Sequence, residues 1–382
     1  MFQDFTRHNE EVLRVWEAYR AGRPVRVPMI IGCNARMLLL DPALNKRKIT
    51  FREYTENPEV MFQVQLAFLK WLRFNVPQDA AMGYPEKHWE ITVDLQNFYE
   101  ASWFGSAVHY REGQVPDTLP ILAGDRKNLL FDRGIPEPIS GPFKIITDYF
   151  EFFRAKADKG FAFEGFPVKP GPPWSAAGTD GVMTAAVNLR GEEIFTDFYE
   201  DPEYVRKLFD FITIAAIKRC QVLRKYFGLP EKDEVFSFAD DSVANISTAM
   251  YREFVLPYHK KLKAAFSLGK TAIHLCGDST RHFKTMAEEL NVVQFDTGFP
   301  VDFGWLRKEL GEQMEIQGGP HIALLLKGTP TEVERETLRV LKSGITRGGK
   351  FIIREGNNLA PGTPVPNLEA MYATVKKHGG LK

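Results

Sequence analysis

In the stretch TAIHLCGDS, residues 271–279, a histidine and a cysteine stand two residues apart, His274 and Cys276. The run reads as a β-strand ending in a turn, and residues i and i+2 of a strand face the same side. A neutral imidazole and a thiolate opening onto one space are good zinc ligands, and a bound metal would hold the cysteine deprotonated. On spacing alone the pair reads more readily as core than as a ligand set, because H-x-C is a short motif. A catalytic zinc also needs a third protein ligand and an open position. The candidates for that third place are Cys33, Asp241, Glu355 and His321. Cys220 lies in a long amphipathic stretch and reads as a small core residue.

The elements that must position these groups are marked by their boundaries. Asn57-Pro58, Asp201-Pro202 and Thr329-Pro330 each join a capping side chain to a proline at the first helical position, so three helices start there. A fourth, in residues 245–269, is expected to be capped by Ser247 and bent at Pro257. Between the helices lie short, mostly apolar runs at 26–33, 79–84, 181–189, 234–240, 271–276, 292–296, 314–319 and 350–355. Such runs alternating with helices indicate parallel strands buried on both faces. Eight of them predict a closed (β/α)8 barrel forming one domain over 1–382. Residues 89–178 break the alternation and are expected to be a β-rich insertion between strands two and three, covering the barrel mouth.

Function in such a barrel sits at the C-terminal ends of the strands, and polar residues collect there. They are Asn34 and Arg36 after the first strand, Tyr84 after the second, and Asn188 and Arg190 at the third. Asp240 and Asp241 follow the fourth, Asp296 ends the sixth, His321 follows the seventh, and Arg354, Glu355 and Asn357 end the eighth. The 49 Lys+Arg balance 49 Asp+Glu, which leaves no electrostatic footprint for nucleic acid. No apolar run approaches the ~20 residues of a membrane span. The start lacks a basic-then-apolar leader, and three cysteines are too few for a disulfide framework, so the cytoplasm is the expected compartment.

Several segments resemble the uroporphyrinogen decarboxylase superfamily, which includes the zinc-dependent corrinoid methyltransferases. They are DDSVANISTAMYREFVLPYHKKL, HLCGDS, FDTGFPVDFGWLRKELG, IQGGPHIALLLKGTPTEV and EGNNLAPGTPVPNLEAM. The resemblance implies a (β/α)8 barrel, as the strand count does. Authentic decarboxylases carry an arginine-rich RQAGR segment after the first strand to clamp carboxylates, whereas GCNAR here leaves Arg36 as the one counterpart. GNN stands where the decarboxylases carry GHG. The methyltransferase branch carries H-x-C followed far downstream by a second cysteine. His274 and Cys276 match the first half, and Asn357 occupies the region of the second cysteine. Glu355 is therefore the expected third ligand, with Asp241 as the other candidate and loss of the metal as the alternative.

What this resemblance implies is a methyltransferase moving a methyl group between a small substrate and a corrinoid-binding protein that supplies cobalamin. Zinc on His274, Cys276 and Glu355 would activate the heteroatom of a methyl ether or a thiol. Asp241, Asp296 and Arg354 take catalytic or orienting roles, while Arg36, Asn34, Asp240, Tyr84, Asn188, His321 and Asn357 bind substrate. Trp89, Phe98, Tyr99, Trp103 and Phe104 are expected to form an apolar cup for an aromatic ether. A homodimer is an admissible assembly. The alternative is a metal-independent decarboxylase of tetrapyrrole precursors in which Arg36, Arg190 and Arg354 hold carboxylates. A barrel that binds a ligand without chemistry is the third reading.

Overall fold

The proline-marked helix starts form as expected. The computed structural model of the chain describes residues 5–381, so the first four residues of the start segment lie outside the described residues. Asn57 Oδ1 accepts from Glu59 N and Val60 N at the head of helix Pro58–Asn75. Asp201 caps Pro202–Tyr226 through Tyr204 N. Thr329 and Glu332 form a reciprocal capping box before helix Pro330–Lys342. Each cap satisfies amides that have no partner within their own helix. Ser247 caps Thr248–Met250, and the chain passes through a π-turn, Tyr251–Val255, before Leu256–Phe266. The π-turn lies where Pro257, which lacks an amide hydrogen, enters the next helix.

The frame is a TIM barrel. Its continuous part is a five-stranded parallel sheet in which Asp233–Ala239, Ser267–Leu275, Val292–Thr297, Glu315–Gly318 and Phe351–Ile353 lie side by side in chain order. These match five of the eight expected runs. Residues 26–33 are extended but pair only at single points, including a parallel bridge from Met29 to Ile353. Ile30 N donates to Ile353 O and Ile353 N to Pro28 O, which joins the last strand to the first.

Two expected strands are not strands. Residues 79–84 form turns, because side chains rather than a ladder take the neighbouring amides. The Asp79 carboxylate accepts from Met29 N and holds the Arg26 guanidinium through two 2.6 Å bonds, while Gln78 Oε1 accepts from Ile31 N. The strand of this region is Trp89–Ile91, parallel to Phe166–Pro170. Residues 181–189 fall in a helix, Val182–Arg190. A short continuous apolar run is compatible with either a buried strand or a buried helix, and alanines at 185 and 186 favour the helix.

Among the described residues, 89–178 contain five of the ten strands, including the hairpin of Val108–His109 with Asp117–Thr118, but their longest element is the helix Pro142–Asp158. No helix among the described residues is long and apolar enough to cross a membrane.

A fully buried ion pair ties this stretch to the barrel wall. Arg219 Nη1 lies 2.6 Å from Glu100 Oε1, and the same carboxylate accepts from Thr179 Oγ1 and Asp180 N. Removing one partner would strand a charge in the interior. The substitution Arg219→Met is expected to lower unfolding free energy by about 3–5 kcal/mol, read from urea denaturation midpoints.

Candidate active site

The parallel register builds the site. His274 pairs with Asp296 across adjacent strands, and paired residues of neighbouring strands face the same side. Asp296 Oδ2 accepts from His274 Nδ1 at 2.7 Å, which leaves Nε2 directed at Cys276 Sγ, 3.2 Å away. Cys276 follows immediately after the strand, and its amide donates to Asp241 Oδ1 at 2.7 Å. That bond draws the Asp241 carboxylate to 4.0 Å from His274 Nε2. On the other side of Asp296, Arg354 Nη1 donates to the same Oδ2 at 2.6 Å, and Arg354 Nη2 lies 2.7 Å from Glu355. The line Cys276–His274–Asp296–Arg354–Glu355 thus crosses the barrel mouth.

The electrostatics follow from partly buried neighbours. Burial disfavours the imidazolium of His274, but hydrogen bonds to Asp296 and Cys276 hold its pKa well above the ordinary histidine value. Burial pushes the Cys276 thiol up, and His274 pulls against it. Burial also raises Glu355 to about 7 against the pull of Arg354.

His274 Nε2, Cys276 Sγ and an Asp241 oxygen all lie within 4.8 Å of one another. Ligands of one tetrahedral zinc stand roughly 3.3–3.8 Å apart, so the observed 3.2 and 4.0 Å separations straddle that spacing. A carboxylate on the remote nitrogen of a ligating histidine is the usual means of fixing its tautomer and orientation. The residues therefore fit a zinc with three protein ligands and an open position.

This set corrects the expected third ligand. Glu355 is turned away from the sulfur. Both of its oxygens accept from Gly32 N at 3.0 Å, and Arg354 covers it. Glycine is needed at residue 32, since a Cβ there would fall 2.0 Å from Arg354 Nη2 and 2.6 Å from Glu355 Oε1. Asp240 is corrected as well. The strand ends at Ala239 and a 3-10 turn starts at Asp241, which leaves Asp241 lining the cavity while Asp240 is fully buried. Its oxygens accept from Met183 N and Thr184 N at the start of helix Val182–Arg190, and His259 Nε2 lies 2.8 Å away. An anion at a helix N-terminus is favoured by its free amides, and that role leaves Asp240 no part in binding substrate.

The remaining expected residues divide. Arg36, Asn188 and Asp241 line one cavity of about 600 Å³. Asn34 is on its way to that wall, its Oδ1 accepting from Arg36 N in a local turn. Asn357 touches the group, with Oδ1 3.3 Å from Cys276 Sγ. His321 caps helix Ile322–Lys327 and packs on Phe299 at 3.9 Å between ring centroids. Tyr84 stacks on Phe166 and reaches Glu164, so none of its partners belongs to the site. The aromatic cup does not form. Trp89, Phe98, Tyr99, Trp103 and Phe104 are all buried in the core, where they pack rather than face the cavity. Arg190 is buried against Asp197. Sequence reasoning missed Asn97 and Asp180, which also line the cavity. The signal for Asp180 was present in GTDG, an acid directly before a helix-starting glycine.

With this geometry in hand, three comparisons bear on it. A family model described as uroporphyrinogen decarboxylase (URO-D) matches residues 8–378. A methylated-thiol–coenzyme M methyltransferase of Methanosarcina mazei is 28% identical over 200 residues, so the match spans about half of either protein, 51% of each. A methylcobamide:CoM methyltransferase of the same organism is 23% identical over 52% of this chain and 56% of its own length. A uroporphyrinogen decarboxylase of Parasynechococcus marenigrum is 24% identical over 86% of this chain and 85% of its own. Among solved structures, a methyltransferase from Methanosarcina mazei superposes with a TM-score of 0.65 at 17% identity. It covers 96% of this chain and 98% of its own, and it shares the fold.

The geometry assigns different fates to single substitutions. Purified protein is expected to hold close to one zinc per chain by elemental analysis. Asp241→Ala, His274→Ala and Cys276→Ser each lose it, while Glu355→Gln retains it. Loss of zinc in Glu355→Gln alone, with Asp241→Ala unaffected, would restore the other ligand set.

Proposed function

Because the chain belongs to the uroporphyrinogen decarboxylase family, we propose that it is a methyltransferase acting with a corrinoid-binding protein. Its metal group is Asp241, His274 and Cys276. The observation that carries this reading is the Asp296–His274 bond, which presents Nε2 to Cys276 and Asp241 together. The two methyltransferase relatives support the reaction class and the corrinoid. Zinc at the group would act as a Lewis acid on an ether or thioether heteroatom, or would lower the pKa of a thiol.

The chain's own residues do the positioning. Asp296 keeps the Nδ1 proton of His274 in place, so that the Nε2 lone pair faces the heteroatom's side of the site. Arg354 fixes Asp296 and is itself neutralised by Glu355. The Cys276 amide holds Asp241 Oδ1, the oxygen 4.0 Å from His274 Nε2, and so fixes the carboxylate at the metal group. When the carbon–heteroatom bond breaks, the electron pair stays on the heteroatom. Negative charge then grows beside this group, where a cationic centre is worth most in a partly dry cavity.

The broader match to decarboxylases favours a second reading, but the cations it requires are engaged elsewhere. Arg190 is bound to Asp197, and Arg354 to Asp296 and Glu355. A polycarboxylate needs several fixed guanidinium groups, and Arg36 alone faces the cavity without a carboxylate partner among the described residues.

Spectrophotometry with cobalamin tests the proposal. The protein is expected to convert methylcobalamin to cob(I)alamin with a thiol acceptor, or the reverse with a methyl thioether or ether. Asp296→Asn should weaken metal affinity and activity about 10–100-fold. Release of carbon dioxide from uroporphyrinogen, with no methyl transfer to or from any cobalamin, would replace this reading by the decarboxylase.

A further inference from the structure

The cavity beside the candidate metal group is lined by an arginine and an acid that form no direct ion pair among the described residues. Arg36 stands on one wall. Its Nε lies 2.6 Å from Gln96 Oε1 and its Nη2 2.9 Å from Asn97 Oδ1, both neutral amide oxygens. Among the described residues no carboxylate lies within ion-pair distance of it. Arg26, Arg219 and Arg354 each have a carboxylate oxygen at 2.6 Å, whereas the buried Arg307 is held by backbone carbonyls. The carboxylate that Arg36 feels is the buried Asp94, reached through Gln96. Arg36 Nη1 has no hydrogen-bond partner among the described residues, so it is free to donate to an anion in the cavity.

Asp180 lines the same cavity. Tyr99 donates its hydroxyl to Oδ1 at 2.6 Å, and no donor among the described residues reaches Oδ2. Glu100, behind it, holds Asp180 N and is neutralised by Arg219, so the charge of Arg219 is already matched. Burial, reinforced by Glu100, pushes the Asp180 carboxyl up to about 8. A cation arriving at Oδ2 would offset that rise and favour the ionised carboxylate. The cavity also lacks the aromatic lining that would suit a ring, since the aromatic residues nearby are in the core.

We propose that this cavity selects a small zwitterion, with its anionic group on Arg36 and its cationic group on Asp180. The methyl-bearing heteroatom would then lie toward Asp241, His274 and Cys276. That last placement rests on the methyltransferase reading, whereas the charge pattern does not. An anion alone would leave the Asp180 carboxyl unused, and a cation alone would leave Arg36 Nη1 unused. A ligand carrying both charges engages the two walls at once.

Three probes that share a methylthio group separate the contributions. S-methyl-L-cysteine carries both charges, 3-(methylthio)propanoate lacks the ammonium, and 2-(methylthio)ethylamine lacks the carboxylate. Isothermal titration of the metal-loaded protein should give S-methyl-L-cysteine an affinity at least about 10-fold above either truncated probe, the worth of one charge-assisted hydrogen bond. Asp180→Asn should remove that advantage over 3-(methylthio)propanoate while leaving the propanoate's own affinity unchanged. Arg36→Gln should do the same relative to the ethylamine. Equal binding of the three probes, or binding of none, overturns the inference, and neither result depends on a variant folding. A variant that weakens all three alike overturns it too. No corrinoid is needed, so charge-selective binding without methyl transfer would sink the proposed reaction and leave this inference intact. Methyl transfer with no charge preference in binding would do the opposite.

Discussion

One carboxylate oxygen, Oδ2 of Asp296, receives both the imidazole of His274 and the guanidinium of Arg354. The rest of the site depends on that shared bond. It sets which histidine nitrogen is free, and through Arg354 it links the His274 strand region to Glu355 and then to the amide of Gly32. The same contacts therefore orient a candidate metal ligand and join the last strand to the first. In a closed barrel these tasks coincide, because every strand end is close to the axis and to every other. A change at Asp296 would disturb both.

Charge matching divides the molecule into scaffold and site. Arg26 with Asp79, Arg219 with Glu100 and Arg190 with Asp197 are buried pairs in which each charge has its partner. Buried pairs of this kind add little net stability, but losing one member is expensive. Asp240 belongs with them, since two helix amides and His259 satisfy it. Arg36 and Asp180 differ in facing one cavity next to the candidate metal group, where neither forms an ion pair with the protein among the described residues. Such sites trade stability for recognition.

The reaction class and the ligand are separate questions in this fold. The family hosts decarboxylases and methyltransferases on one barrel, so the fold alone does not choose between them. What separates them here is the use made of particular side chains. His274, Cys276 and Asp241 converge on one point, whereas Arg190 and Arg354 are tied to carboxylates of the protein. Asn357, in the region where a second cysteine was expected, still contacts Cys276 through its amide oxygen. In the proposed metal group the third ligand-type atom is the Asp241 carboxylate rather than residue 357.

Much of this was legible in the amino-acid order. Capping residues followed by proline marked the helix starts correctly, because caps and fixed φ act within a few residues. Five apolar runs gave the continuous parallel sheet, and the i, i+2 spacing of His274 and Cys276 placed both at one strand end, since strand alternation is also a local property. Residues 181–189 were misread, as an apolar run buried on all sides has no periodicity to separate strand from helix. The choice of Asp241 over Glu355, the burial of Asp240, the absence of an aromatic cup and the facing of Arg36 and Asp180 were decided only by the tertiary structure. Each depends on which way a side chain turns once distant strands are brought into register, and no local rule carries that information.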